Sequence, residues 1–134
     1  MSVLIVDDHP SFRSSARALL EAEGYAVVGE AENGVGGLKA ARDLRPDIVL
    51  LDVQLPDFDG FEVASRLTKD DDPPAIVLIS SRDGSDFGHL VRDSGACGFI
   101  PKAELSGRAL RHIIFPDGER GTAPTGSTRD VPDG

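Results

Sequence analysis

The chain has 134 residues, one domain's worth, with 40% hydrophobic and 28% charged side chains, values ordinary for a globular protein. Aromatic residues make up only 5%, so a core must be built from Val, Ile, Leu and Ala. A net charge of −9 argues against partners held by phosphate neutralisation, namely nucleic acid and anionic membrane surfaces.

Strand-like and helix-like segments alternate five times along the chain. Val3-Leu4-Ile5-Val6 is a short apolar run that stops at Asp7-Asp8. A helical pattern follows, with Phe12, Ala16, Leu19 and Leu20 on one face. Pro10 suits its first turn and Gly24 its C-terminal cap. Tyr25 to Ala31 reads as a second strand. Asn33-Gly34 reads as a turn, and Val35 to Asp43 as a helix that Arg45-Pro46 ends. Asp47-Ile48-Val49-Leu50-Leu51-Asp52 is the best strand in the chain, and its unbroken apolar run implies cover on both faces.

A turn-rich loop, Gln54 to Gly60, leads into a helix carrying Phe61, Val63, Ala64 and Leu67. Pro73-Pro74 then precedes strand Ala75-Ile76-Val77-Leu78-Ile79, which runs into Ser80-Ser81. A helix over 85–94 is expected to bury Phe87, Leu90 and Val91. Cys97, the only cysteine, lies in the apolar run Ala96-Cys97-Gly98-Phe99-Ile100 and reads as a buried structural thiol. The fifth strand, Gly98 to Ile100, gives way to Pro101-Lys102 and a last helix to about Ile114. Residues 116–134 are mostly Gly, Pro, Ser and Thr, too poor in apolar surface to offset the ordering of a backbone, and read as a disordered tail after a 1–115 domain.

Five successive β-then-α units imply a parallel sheet with helices on both faces. The natural order is the flavodoxin-like 2-1-3-4-5, which puts function at the carboxyl ends of the strands. Those ends carry Asp7 and Asp8, Asp52, Ser80, and Lys102. Taken singly, each Asp or Ser is accounted for as a helix cap or turn residue, and Lys102 as a solvated lysine. Caps alone do not call for a doubled Asp at the first strand together with a Lys at the fifth. Clustered carboxylates repel and need a cation; Lys102 supplies one charge, and a hard ion such as Mg2+ suits an oxygen-rich set better than Zn2+ does.

The span from Ser2 to Ile114 resembles the receiver domains of bacterial two-component response regulators, most nearly those of LuxR-type regulators. The resemblance rests on Leu4-Ile5-Val6-Asp7-Asp8-His9, on Asp47 through Asp52, and on Leu55-Pro56-Asp57-Phe58-Asp59-Gly60. Val77-Leu78-Ile79-Ser80-Ser81 and Gly95 through Lys102 complete it. It implies that Asp52 accepts a phosphoryl group from a histidine kinase or phosphotransfer protein. It also implies that Asp8, Asp52 and the Gln54 backbone carbonyl hold Mg2+, with Asp7 acting on the metal through water. Ser80 and Lys102 would then bind the phosphoryl group, and Phe99 stands where a switch aromatic is often Tyr. Pro101 precedes Lys102 and Ala103 follows it, whereas in many receivers the Pro follows the Lys.

Other readings fit less of the sequence. A haloacid-dehalogenase-type phosphatase needs a second Asp where Gln54 stands, and Gly34-Val35-Gly36-Gly37-Leu38-Lys39 lacks the last glycine of a dinucleotide-binding loop. The expectation is therefore a stand-alone cytoplasmic receiver, not an enzyme, acting on a downstream protein partner or as a homodimer without touching DNA or membrane. The alternative is the receiver half of a DNA-binding regulator. Ile113-Ile114-Phe115 is left open as either core or contact surface.

Overall fold

The structure is a computed structural model, and it describes residues 1–81 and 88–116. Five strands form one parallel sheet: β1 (Ser2–Val6), β2 (Ala26–Ala31), β3 (Ile48–Asp52), β4 (Ala75–Ser80) and β5 (Gly98–Pro101). Their spatial order is 2-1-3-4-5, the flavodoxin-like arrangement expected. The connecting helices are α1 (Pro10–Ala22), α2 (Gly34–Leu44), α3 (Gly60–Thr68) and α4 (Gly88–Ser94), and α5 (Gly107–Ile114) closes the fold.

The unbroken apolar runs of β1, β3 and β4 follow from the pleat, because successive side chains leave a strand on opposite faces and both faces are covered. Val3, Ile5, Ile48, Leu50, Val77 and Ile79 pack with Ala16 and Leu20 of α1 and Leu110 of α5. Leu4, Val6, Val49, Leu51, Ile76 and Leu78 pack with Leu38 of α2 and Val63 and Leu67 of α3. All five residues of β3 are buried, so truncating Leu50 to Ala would cost about 2–5 kcal/mol.

Helix boundaries follow local chemistry. Pro10 begins α1, and Gly24 lies just beyond its end at φ +93°, where a side chain would be strained. Arg45 ends α2 at φ 48°, since the following Pro46 disfavours continued helix. Asp59 and Ser106 cap α3 and α5 by accepting from the amides of Glu62 and Ala109.

Several expectations change. Asn33-Gly34 is the start of α2 rather than a turn: Asn33 accepts from the Gly36 amide, and Asp57 accepts from Gly34 and Val35 at 2.7 and 2.9 Å. Val35, expected on the apolar face of that helix, is 59% exposed because it lies in the first turn, outside the sheet contact. β2 begins at Ala26. Tyr25 before it is buried, and its hydroxyl donates to the Gly107 carbonyl at 2.9 Å. Cys97 is exposed, not buried, since it sits in the loop ahead of β5, where its amide donates to Ile76 O. Leu90 is also exposed, while Val91 packs on the sheet; Phe87 lies outside the described residues, as does the expected tail beyond Pro116. Ile113 and Ile114 pack against the α1 and α5 core, and Phe115 is exposed. Among the described residues, no helix is long and apolar enough to cross a membrane.

Candidate phosphoacceptor site

The carboxyl ends of β1, β3, β4 and β5 lie side by side through their register: Val6 faces Leu51, Asp52 faces Ile79, and Ser80 faces Pro101. Asp7 follows β1 directly, with its amide on the Ala31 carbonyl at 2.9 Å. Its carboxylate is fully buried, whereas that of Asp8 next to it is exposed. Asp52 ends β3 and is 3% exposed; Ser80 ends β4 and is equally buried. Lys102 starts a short 3-10 turn (Lys102–Glu104) after β5 and reaches back into the cleft.

Its ammonium lies 2.6 Å from Asp7 Oδ2 and 3.2 Å from Asp52 Oδ2. The Gln54 amide donates to Asp52 Oδ1 at 3.1 Å. Burial pushes the Asp52 carboxyl above its ordinary range; the Gln54 amide opposes this, the Asp7 charge adds to it, and Lys102 opposes it again. Lys102 feels burial in the opposite sense, but Asp7 and Asp52 outweigh it and hold its ammonium above the usual lysine value. The loop after β3 is folded back tightly: the Gly60 amide donates to Val53 O at 2.8 Å, and a Cβ at Gly60 would lie 2.3 Å from the Asp52 carbonyl. Only glycine fits there.

Two residues that the sequence left without a role belong to the site. The His9 amide donates to Asp7 Oδ1 at 2.8 Å, and His9 Nδ1 lies 3.0 Å from that same oxygen and 3.1 Å from Asp8 Oδ1. The Arg13 guanidinium donates to the Asp7 carbonyl and, at 3.0 Å, to Glu30. The sequence signal for both was their place in the Asp7-Asp8-His9-Pro10 turn and first helical turn. Phe99 is half-buried against the α2 and α3 side of the core.

Ligand atoms of Asp7, Asp8, His9 and Asp52 lie within 4.8 Å of one another. Asp7 Oδ2 is buried, and among the described residues its partner is the Lys102 ammonium. Three carboxylates against one ammonium leave a negative surplus. An oxygen-rich set of this kind fits a hard divalent cation.

The model of the response regulator receiver domain matches residues 3–114. The chain belongs to that family. It is 43% identical to the transcription regulator BvgA of Bordetella pertussis over 102 residues, which cover 76% of this chain and 49% of that protein. Among solved structures it is similar to the receiver domain of the response regulator NarL from Mycobacterium tuberculosis, with 33% identity and a TM-score of 0.74 over 84% of this chain and 95% of that one. A LuxR-family response regulator from Aurantimonas is 31% identical with a TM-score of 0.77, covering 89% of this receiver and 86% of that chain. The receiver described here spans about half the length of the curated relatives it matches.

Proposed function

We propose that this receiver is switched by phosphorylation of Asp52, with Asp7, Asp8, Ser80 and Lys102 completing the site in a cytoplasmic signalling pathway. The observation that carries the reading is the Lys102 ammonium shared between Asp7 and Asp52 in a buried cleft. A phosphohistidine on a kinase or phosphotransfer protein is the donor. An oxygen of Asp52 attacks its phosphorus; the P–O bond forms as the P–N bond breaks, and the imidazole leaves with the electron pair and regains a proton from water.

Asp8, Asp52 and the Gln54 carbonyl would hold Mg2+, with Asp7 acting through a bound water. Bound there, the ion neutralises charge on the transferred group. Lys102 turns from Asp52 to the new phosphoryl oxygens, and the buried Ser80 hydroxyl donates to another. Phe99, half-buried one strand away, is the side chain that reports Ser80's shift towards β5 and the α4 face. The domain catalyses no reaction beyond its own phosphorylation and dephosphorylation, and residues 116–134 lie outside it.

Output passes through protein contacts, a second copy or another protein, and Phe115 is an exposed apolar side chain on that route. A second reading, the receiver half of a DNA-binding regulator, is favoured by one observation: the match covers half of a protein called a transcription regulator.

Intact mass after incubation with acetyl phosphate and Mg2+ tests the assignment. One alkali-labile phosphoryl adduct is expected, absent from Asp52→Asn. Undiminished labelling of that variant sinks it.

A further inference from the structure

The Lys102 ammonium has a third neighbour. Its nitrogen lies 4.6 Å from the centroid of the Phe12 ring. We infer that Phe12 is a positioning residue for Lys102: the face of its ring fixes the ammonium where it can receive the phosphoryl group. The inference rests on the proposed roles of Asp52 and Lys102.

A lysine reaches its target on a flexible four-carbon stem and keeps three donors free to turn. Asp7 and Asp52 attract the Lys102 ammonium, but both are also expected to serve a metal, so they cannot by themselves hold it in place through the reaction. An aromatic face attracts a cation through its quadrupole while adding neither charge nor a hydrogen-bond acceptor. It therefore steadies the ammonium without competing with the phosphoryl oxygens, as a carboxylate at position 12 would. Lys102 is 15% exposed along its side chain, so the attraction is little screened. The other cation-over-ring pair among the described residues, Arg66 over Phe58 at 4.7 Å, lies on the surface and shares its cation with Glu62.

Phe12 is itself well fixed. It is the third residue of α1 and is half-buried against the core on the α1 and α5 side of the sheet. The next residue, Arg13, ties the same turn to the Asp7 carbonyl by its guanidinium and to the His9 carbonyl by its amide. The ring is thus carried by the backbone that presents Asp7 and Asp8, and links that pair to the lysine arriving from β5.

Replacing Phe12 by mono-, di- and trifluorophenylalanine in the full chain drains the ring face of negative charge while keeping its shape. The rate of labelling by acetyl phosphate should fall stepwise, about fivefold over the series, with the melting temperature unchanged. Phe12→Trp should label at least as fast as wild type, and Phe12→Leu as slowly as the most fluorinated variant. A second readout is independent of labelling: the ring-current shift of the Lys102 ε-methylene protons in the NMR spectrum, expected in wild type and lost in Phe12→Leu. Equal rates across the fluorine series, or no ring-current shift in wild type, overturn the inference. If the shift is present but no protein takes up phosphoryl, the Asp52 assignment fails and the positioning of Lys102 stands.

Discussion

β3 has an aspartate at each end, and the two behave in opposite ways. Asp47, just before the strand, is exposed and accepts from the Ser2 amide and hydroxyl at 2.9 and 3.2 Å. Those hydrogen bonds hold its carboxyl below the ordinary range, the backbone one most strongly. Asp52, five residues on, is buried beside Asp7, and burial holds its carboxyl above that range. The surroundings repeat the contrast. Near Asp47 the run Asp70-Asp71-Asp72 meets Arg42 and Arg45 around an open surface cavity, where solvent screens the charges. Near Asp52 the buried carboxylates of Asp7 and Asp52 share one lysine, with the exposed Asp8 beside them. Residue type and parent strand are the same at both ends, so burial and partners alone separate a structural carboxylate from the proposed phosphoacceptor.

The sharpest way to break this comparison is to remove one acid from each cluster. Asp8→Ala should lower the rate of Mg2+-dependent labelling at least tenfold while the domain stays folded, because Asp8 is exposed and carries no packing. Asp71→Ala, at the opposite end, should label as wild type does. Comparable losses in both variants would mean that bulk acidity, not the cleft, drives phosphorylation.

A smaller effect is expected on stability, with opposite signs at the two ends. The folded carboxyl of Asp52 is raised, so its ionisation opposes folding once the pH exceeds that raised value, and the cost vanishes below the unfolded value near about 4. Asp52→Asn should therefore raise the melting temperature of the metal-free protein at pH 7, and the gain should shrink towards pH 4. Asp47 has a lowered carboxyl, so its contribution is present above the unfolded value and is lost as the pH falls through the folded one. Asp47→Ala should lower the melting temperature at pH 7 and do less at pH 3. Melting curves from pH 3 to 8 check both, and parallel curves for the two variants would remove the contrast.

The smallest effect belongs to the amino end itself. Arg42 and Asp70 are paired at 2.9 Å, but in the open. Arg42→Ala should change neither the labelling rate nor, measurably, the melting temperature in physiological salt.

The central strands were legible because nothing competes with their apolar runs: Ile48 to Leu51 can be satisfied only between two covered faces. The strand-end residues were legible for the same reason, since the topology leaves Asp7, Asp52, Ser80 and Lys102 on one edge. What stayed hidden depends on partners distant in sequence. Asn33 is a local cap for this helix, accepting from the Gly36 amide, but the acceptor for the Gly34 and Val35 amides, Asp57, arrives from 23 and 22 residues away, which no local pattern announces. His9 and Arg13 gain their roles only once Asp7 is buried and its carbonyl and carboxylate need donors. Cys97 and Leu90 sit beside the edge strand β5, where a hydrophobic residue has less to pack against than in the middle of the sheet.

The all-parallel pairing has a further consequence, for the newly made chain. Parallel neighbours cannot be joined by a tight turn, so every strand pair in this sheet closes across an intervening segment that includes a helix. β1 is synthesised first, yet it lies between β2 and β3 and cannot be enclosed until both have emerged. Lys102 comes later still, beyond β5. A ribosome-bound chain that has reached only β4 therefore holds Asp7, Asp8 and Asp52 without Lys102 to offset their repulsion, and an unpaired β4 edge. The charge balance of the cleft and the last strand pairing are completed by the same short stretch, Gly98 to Lys102. A chain that stops short of Gly98 therefore lacks the last strand pairing and the ammonium of the cleft together.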